Sequence, residues 1–136
     1  VKDGVRYYND SIASSPSRTI AGLRSFPEKV ILIAGGYDKH IPYDVLGPEI
    51  CAHVKKLFLG GATGPKIRAA VENAPEYLPG APEIVDCGDF TQATLAAAQA
   101  AEPGDVVLMS PASAAFDQFK NFMVRGQYFK KLIKEL

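Results

Sequence analysis

The chain has 136 residues, 47% of them hydrophobic, with 15 Lys and Arg balanced by 15 Asp and Glu. That is the size and composition of one globular domain with a full core; it excludes a disordered, collagenous or coiled-coil chain, and two cysteines are too few for a disulfide-stapled mini-protein. The zero net charge supplies no basic field for nucleic acid, and the longest uncharged apolar stretch, Ala93 to Ala101, is far short of the roughly 20 residues of a membrane helix.

In chain order, short apolar runs alternate with helical patterns. Val5 to Tyr8 is β-rich and is followed by Asn9-Asp10-Ser11. Ser17 to Phe26 spaces Ile20, Leu23 and Phe26 for a helix, with Pro16 near its start. Val30 to Ala34 is a continuous apolar run closed by Gly35-Gly36. Tyr43 to Val54 carries Val45, Leu46, Ile50 and Val54 at helical spacing, and Pro48 can shift its start. Leu57 to Leu59 is closed by Gly60-Gly61, and Pro65 to Asn73 is helical through Ile67, Ala70 and Val71. Glu83 to Cys87 is closed by Gly88. Phe90 to Ala101 is Ala-rich and a strong helix former. Val106 to Met109 is closed by Ser110-Pro111. Asp117 to Leu136 is the longest helical pattern, with Phe119, Phe122, Phe129, Leu132, Ile133 and Leu136 on one stripe and Gly126 as its weak point.

Five strand–helix alternations predict an α/β fold, mostly parallel, with helices on both faces. The continuous apolar runs support strands covered on both sides. In such sheets ligands bind beyond the carboxyl ends of the strands, so the segments after the strands form the candidate rim. Their Gly, Ser and few charges suit a small charged ligand, and equally suit turns and helix caps. The segment GGATGPK (60–66) is not a P-loop, because Pro precedes Lys66 and Ile67 replaces the hydroxyl residue. No dinucleotide G-x-G-x-x-G is present. Lys39, just past a Gly-Gly turn, can reach a carboxylate or phosphate or stand as a solvated surface lysine. Asp10 can cap a helix, accept from a sugar hydroxyl, or both. Phe116, Phe119 and Phe122 fit a core stripe or the wall of a pocket. Cys51 and Cys87 read as buried thiols of a cytoplasmic protein, and His40 and His53 carry no partner pattern. No metal-ligating constellation is visible.

The segment Ser110 to Gly126, SPASAAFDQFKNFMVRG, closely resembles the terminal signature SPA-x-A-S-x-D-x-F-x-x-F-x-x-RG of the Mur ligases that add D-glutamate. Asn9-Asp10-Ser11 with Ala13-Ser14 resembles the family's N-D-S-K-A-T segment. Ala34 to Lys39 resembles its G-G-x-x-K loop. The three motifs occur in the family's order and together span nearly the whole chain.

The resemblance implies that residues 1–136 form the C-terminal domain of such a ligase, a three-layer Rossmann-like unit with a mostly parallel sheet of about six strands. It implies an ATP-dependent amide ligase of peptidoglycan synthesis in the cytoplasm, joining D-glutamate to UDP-N-acetylmuramoyl-L-alanine. ATP and Mg2+ belong to the full-length enzyme and are not held by this domain alone. The remaining partners are the two other domains of the same ligase, and neither nucleic acid nor membrane is involved.

Position by position, Lys39 matches the lysine pairing with a D-glutamate carboxylate, Ser14 a hydroxyl contacting D-glutamate, and Phe122 an aromatic of that pocket. Asp10 matches an acid near the ATP ribose. Ala115 stands where the family has a carboxylate-binding Ser, and Ser113 is a candidate to supply the lost hydroxyl; Ile12 stands where Lys is common. No catalytic residue is expected in this domain, and the isolated chain is expected to be inactive. The start at Val1 is read as a cut near a domain boundary, with about 300 residues upstream including the P-loop. The alternative is a stand-alone α/β module for a small anion.

Overall fold

Val30-Ile31-Leu32-Ile33-Ala34 is buried along its entire length, as a strand must be when layers cover both sheet faces. It forms β2 (Val30–Ala34), near the middle of a sheet with β1 (Arg6–Asn9), β3 (Val54–Leu59), β4 (Glu83–Asp86) and β5 (Val106–Met109). The order is β1-β5-β2-β3-β4 and every pairing is parallel. The computed structural model describes residues 2–115 and 119–136. Among these, the sheet has five strands, against about six expected, and no antiparallel one.

Alternate side chains of each strand go to opposite layers. Leu32, Ala34, Leu57, Leu59, Val106 and Leu108 pack on α1 (Pro16–Arg24), α2 (Leu46–His53) and α3 (Gly64–Glu72). Ile31, Ile33, Phe58, Val107 and Met109 pack on α4 (Phe90–Ala100) and α5 (Phe122–Lys134). The result is a three-layer α/β domain.

Two helix starts differ from the sequence reading by more than one residue, and Val54, read as the end of a helix, opens β3. α2 begins at Leu46, so Pro48 lies in its first turn, where the missing N–H has no intrahelical partner to lose. α5 begins at Phe122, not at Asp117, because Asn121 is extended and its Oδ1 accepts from the Val124 N–H at 2.9 Å, making it the N-cap. Asp117 and Phe116 lie outside the described residues. Phe119 therefore precedes the helix, and its ring meets Phe90 and Tyr128 edge-on or tilted, each at 5.4 Å. It packs on the core over α4. Gly126, the weak point of the helical pattern, has a packing reason: a Cβ there would stand 3.0 Å from the Asn9 amide nitrogen, which donates to the Gly126 carbonyl at 3.1 Å.

Both cysteines are free thiols, but only Cys51 is buried; Cys87 is half-buried. Burial pushes both above the usual thiol range. Among the described residues no helix is long and apolar enough to cross a membrane.

Candidate functional site

All five strands point the same way, so their carboxyl ends form a single rim. After β2 the chain turns to the layer of α1–α3, and after β5 to the layer of α4 and α5. The crevice where neighbouring strands feed opposite layers is the usual ligand position in such sheets.

The loops at this crevice are tied edge to edge. The Gly35 N–H donates to the Pro111 carbonyl at 2.9 Å and the Tyr37 N–H to the Ala114 carbonyl at 2.8 Å. From β3, the Gly60 N–H donates to the Ala34 carbonyl and the Thr63 N–H to the Gly36 carbonyl, both at 3.1 Å. This approach requires glycine at position 35. Its φ is +108°, and a Cβ would fall 1.9 Å from the Gly60 carbonyl oxygen. Ala112, after β5, is a buried residue held at φ = +57°, in the left-handed region that costs a non-glycine residue on the order of 1 kcal/mol or more.

Beneath the rim lies a buried hydroxyl network. Thr63 Oγ1 accepts from the Gly36 N–H at 2.9 Å and lies 2.7 Å from Ser113 Oγ, which in turn is 3.0 Å from the Tyr43 hydroxyl. Thr63 and Ser113 are fully buried. The Ser113 hydroxyl is thus engaged by two protein groups under the loop. These contacts hold the loop in place.

Arg125 enters the same layer from α5, although only 1% of it is exposed. Its Nε donates to Ser11 Oγ at 3.0 Å, Nη2 to the Ser11 carbonyl at 2.7 Å, and Nη1 to the Ser113 carbonyl at 2.8 Å. Ser11 Oγ donates onward to the Phe122 carbonyl at 2.6 Å. Asn9 Oδ1 accepts from the Ser11 N–H at 3.2 Å, so the β1 loop is braced from both sides.

These bonds reach two of the residues singled out from sequence, Ser113 and Phe122; the others stand beside them. Ser14, half-buried, sits on the β1 loop, where its N–H donates to the Ile12 carbonyl at 2.8 Å. Ala115 is buried at the end of the β5 loop, its carbonyl accepting from the Phe119 N–H at 2.8 Å. Phe122 opens α5 with 37% of its surface exposed. Lys39 is exposed two residues past Tyr37 and makes no hydrogen bond or ion pair among the described residues. Its neighbour Asp38 is held by Lys66 at 2.6 Å and by the His40 N–H at 2.8 Å. The bond from Lys66, with that of the His40 amide, pulls the Asp38 carboxyl below the usual carboxylate range. The only acid adjacent in sequence to Lys39 is therefore already neutralised.

Asp10 lies apart from this cluster, toward α1. Its Oδ2 accepts from Ser110 Oγ at 2.8 Å, and a Cβ on Gly22 would come within 2.8 Å of the same oxygen. Burial raises its carboxyl above the usual range, while the Ser110 hydrogen bond and the charge of Arg18 oppose that rise.

The Mur ligase glutamate ligase domain family matches residues 1–113. This chain belongs to that family. UDP-N-acetylmuramoylalanine–D-glutamate ligase of Acetivibrio thermocellus is 53% identical over 136 residues, covering 98% of this chain. The proteins of the same name from Clostridium beijerinckii and Clostridium novyi are 49% and 50% identical, again over 98% of the chain. The likeness therefore continues through the Ser110–Gly126 signature. The Mur-family chain spans only 29% of the length of each of these relatives.

Sequence reasoning gave no role to Arg125, although it is the R of the closing RG in the quoted signature, nor to Thr63 and Tyr43. A signal for Arg125 was available: with Phe122 and Phe129 it falls at i, i+3 and i+7, so a charge lies on the apolar stripe of the last helix. Nothing comparable marks Thr63 or Tyr43, whose partners come from other loops.

Proposed function

We propose that this chain is the D-glutamate-presenting domain of an ATP-dependent amide ligase acting in the cytoplasm on UDP-N-acetylmuramoyl-L-alanine. The observation that carries the reading is Lys39: an exposed cation at the switch-point rim, on a loop anchored to Ala114, with the adjacent Asp38 neutralised by Lys66. Lys39 pairs with one carboxylate of D-glutamate, the Ser14 hydroxyl donates to the ligand, and the exposed face of Phe122 covers it. The backbone at Ala115 borders the second carboxylate, and Ser113 holds that loop from below.

Held by its carboxylates, the ligand presents its free amine toward the rest of the ligase. There the alanine carboxylate, activated as an acyl phosphate at the expense of ATP, is attacked by the amine. A C–N bond forms, phosphate leaves, and the amine gives up a proton. The contribution of this chain is orientation and exclusion of water. Asp10, at the α1 side of the rim, is placed to accept from a ribose hydroxyl of the nucleotide.

The described residues of the rim offer no converging set of metal ligands. Asp38 is engaged by Lys66 and Asp10 by Ser110, and among the described residues no group of three His, Cys, Asp or Glu side chains converges. In this reading Mg2+ and the ATP phosphates are held by parts of the ligase outside this chain.

The test is steady-state kinetics of the full-length ligase carrying Lys39→Ala. A charge-assisted contact contributes about 1.5–3 kcal/mol, which predicts a roughly 10- to 150-fold rise in KM for D-glutamate. KM for ATP should stay within about twofold. A rise confined to ATP removes Lys39 from the amino-acid site. Tight D-glutamate binding by the isolated chain in calorimetry would instead favour a self-sufficient binding module.

A further inference from the structure

Arg125 is among the largest fully buried side chains of the domain, yet it is charged. A guanidinium out of water is costly unless its donors are satisfied. Here Nε, Nη1 and Nη2 each donate to an acceptor on a loop remote in sequence, two on Ser11 and one on Ser113. Through the Ser11 hydroxyl the same node reaches the first residue of α5, Phe122. Through Ser113 it reaches Thr63, and from there the Gly36 N–H at the foot of the Lys39 loop.

We propose that Arg125 is the positioning residue of the D-glutamate site, setting the relative placement of the segments that carry Ser14, Ala115, Phe122 and Lys39. The inference rests on the function proposed above and assigns Arg125 no contact with the ligand. The planar fork of the guanidinium is what makes the bridge. It directs separate N–H groups at fixed angles, so Ser11 and Ser113 are held at one spacing. A lysine keeps the charge but offers a single nitrogen, which cannot serve both Ser11 and the Ser113 carbonyl in the same directions. Glycine at 36 belongs to the arrangement: a Cβ there would stand 3.4 Å from Arg125 Nη1 and 2.6 Å from the Ala114 carbonyl oxygen.

The experiment uses the full-length ligase with Arg125→Met, Arg125→Lys and Ser11→Ala. It measures KM for D-glutamate and for ATP, together with amide hydrogen exchange of segments 10–14 and 110–115 against β2. Arg125→Met should raise KM for D-glutamate at least tenfold with KM for ATP within twofold. Exchange should accelerate in the two loop segments while β2 stays protected. Arg125→Lys should recover little of the loss, and Ser11→Ala, which removes one acceptor and the link to Phe122, should show a smaller effect of the same kind.

If both KM values rise together and β2 loses protection, Arg125 merely supports folding and the proposal is overturned. It is also overturned if Arg125→Met leaves KM for D-glutamate unchanged while Lys39→Ala raises it; the functional reading then stands and the positioning role fails. If Lys39→Ala has no effect on D-glutamate, the functional reading fails and the positioning role falls with it.

Discussion

Replacing Gly35 by alanine should collapse the rim at its tightest point. The added Cβ would lie 1.9 Å from the Gly60 carbonyl oxygen, where heavy atoms need roughly 3.5 Å, so one backbone must retreat by more than an ångström. That retreat breaks or stretches two buried backbone hydrogen bonds, Gly35 to Pro111 at 2.9 Å and Gly60 to Ala34 at 3.1 Å. Each contributes about 1 kcal/mol, and a non-glycine residue held at φ = +108° costs a further 1–3 kcal/mol or so. The loss should be about 3–5 kcal/mol, a large part of the roughly 5–15 kcal/mol that stabilises an ordinary domain. Equilibrium urea unfolding measures it, with the midpoint falling by about 2 M for a slope near 2 kcal/mol/M. Gly64→Ala is the control: it opens α3 with no strained φ, and its Cβ would meet nothing nearer than Leu59 Cβ at 3.5 Å. A Gly35→Ala loss below about 1 kcal/mol, or a loss no greater than that of Gly64→Ala, would refute the close-approach argument.

Thr63→Val keeps the shape of the side chain but removes the acceptor of the Gly36 N–H and the partner of Ser113. A stability loss of about 1–3 kcal/mol is expected from the buried groups left unpaired, and calorimetric unfolding reads it. No measurable loss would mean that the hydroxyl network does not support the rim. Asp10 supplies a pH test. Its carboxyl titrates above the usual range in the folded chain because of burial, so the folded state binds this proton more tightly than the unfolded state. The contribution of Asp10 to stability should therefore fall as pH rises from the ordinary Asp value through the folded value, against the opposite contribution of lowered carboxyls such as Asp38, and Asp10→Asn should remove it. Denaturation midpoints of wild type and Asp10→Asn collected from pH 3 to 7 give the comparison; a difference between the two that does not change with pH, or that changes with the opposite sign, contradicts the assignment.

Particular residues show how far sequence reading reaches. Val30 to Ala34 announces a doubly covered strand, because only a strand buried on both faces tolerates five apolar residues without alternation. The Gly-Gly pairs at 35–36 and 60–61 locate the rim. The aromatic spacing runs back through Phe119, whereas the start of α5 is decided by a side-chain bond at Asn121 that periodicity does not register. For Ser113, chain position does not tell that Tyr43 and Thr63 lie within hydrogen-bond distance of its hydroxyl.

By itself the sequence determined the α/β class, the order of strands and helices along the chain, the position of the rim and the family, all of which depend on local apolar period, turn residues and contiguous motifs. The tertiary structure decided which of the polar residues at the rim are available. Asp38 is neutralised by Lys66, Ser113 lies beneath the loop with Thr63 and Tyr43, and Arg125 sits buried between Ser11 and Ser113, whereas Lys39 stands exposed. Those assignments depend on contacts between segments as much as 114 residues apart, such as Ser11 with Arg125, and a contact of that kind exists only once the sheet has brought its strand ends together.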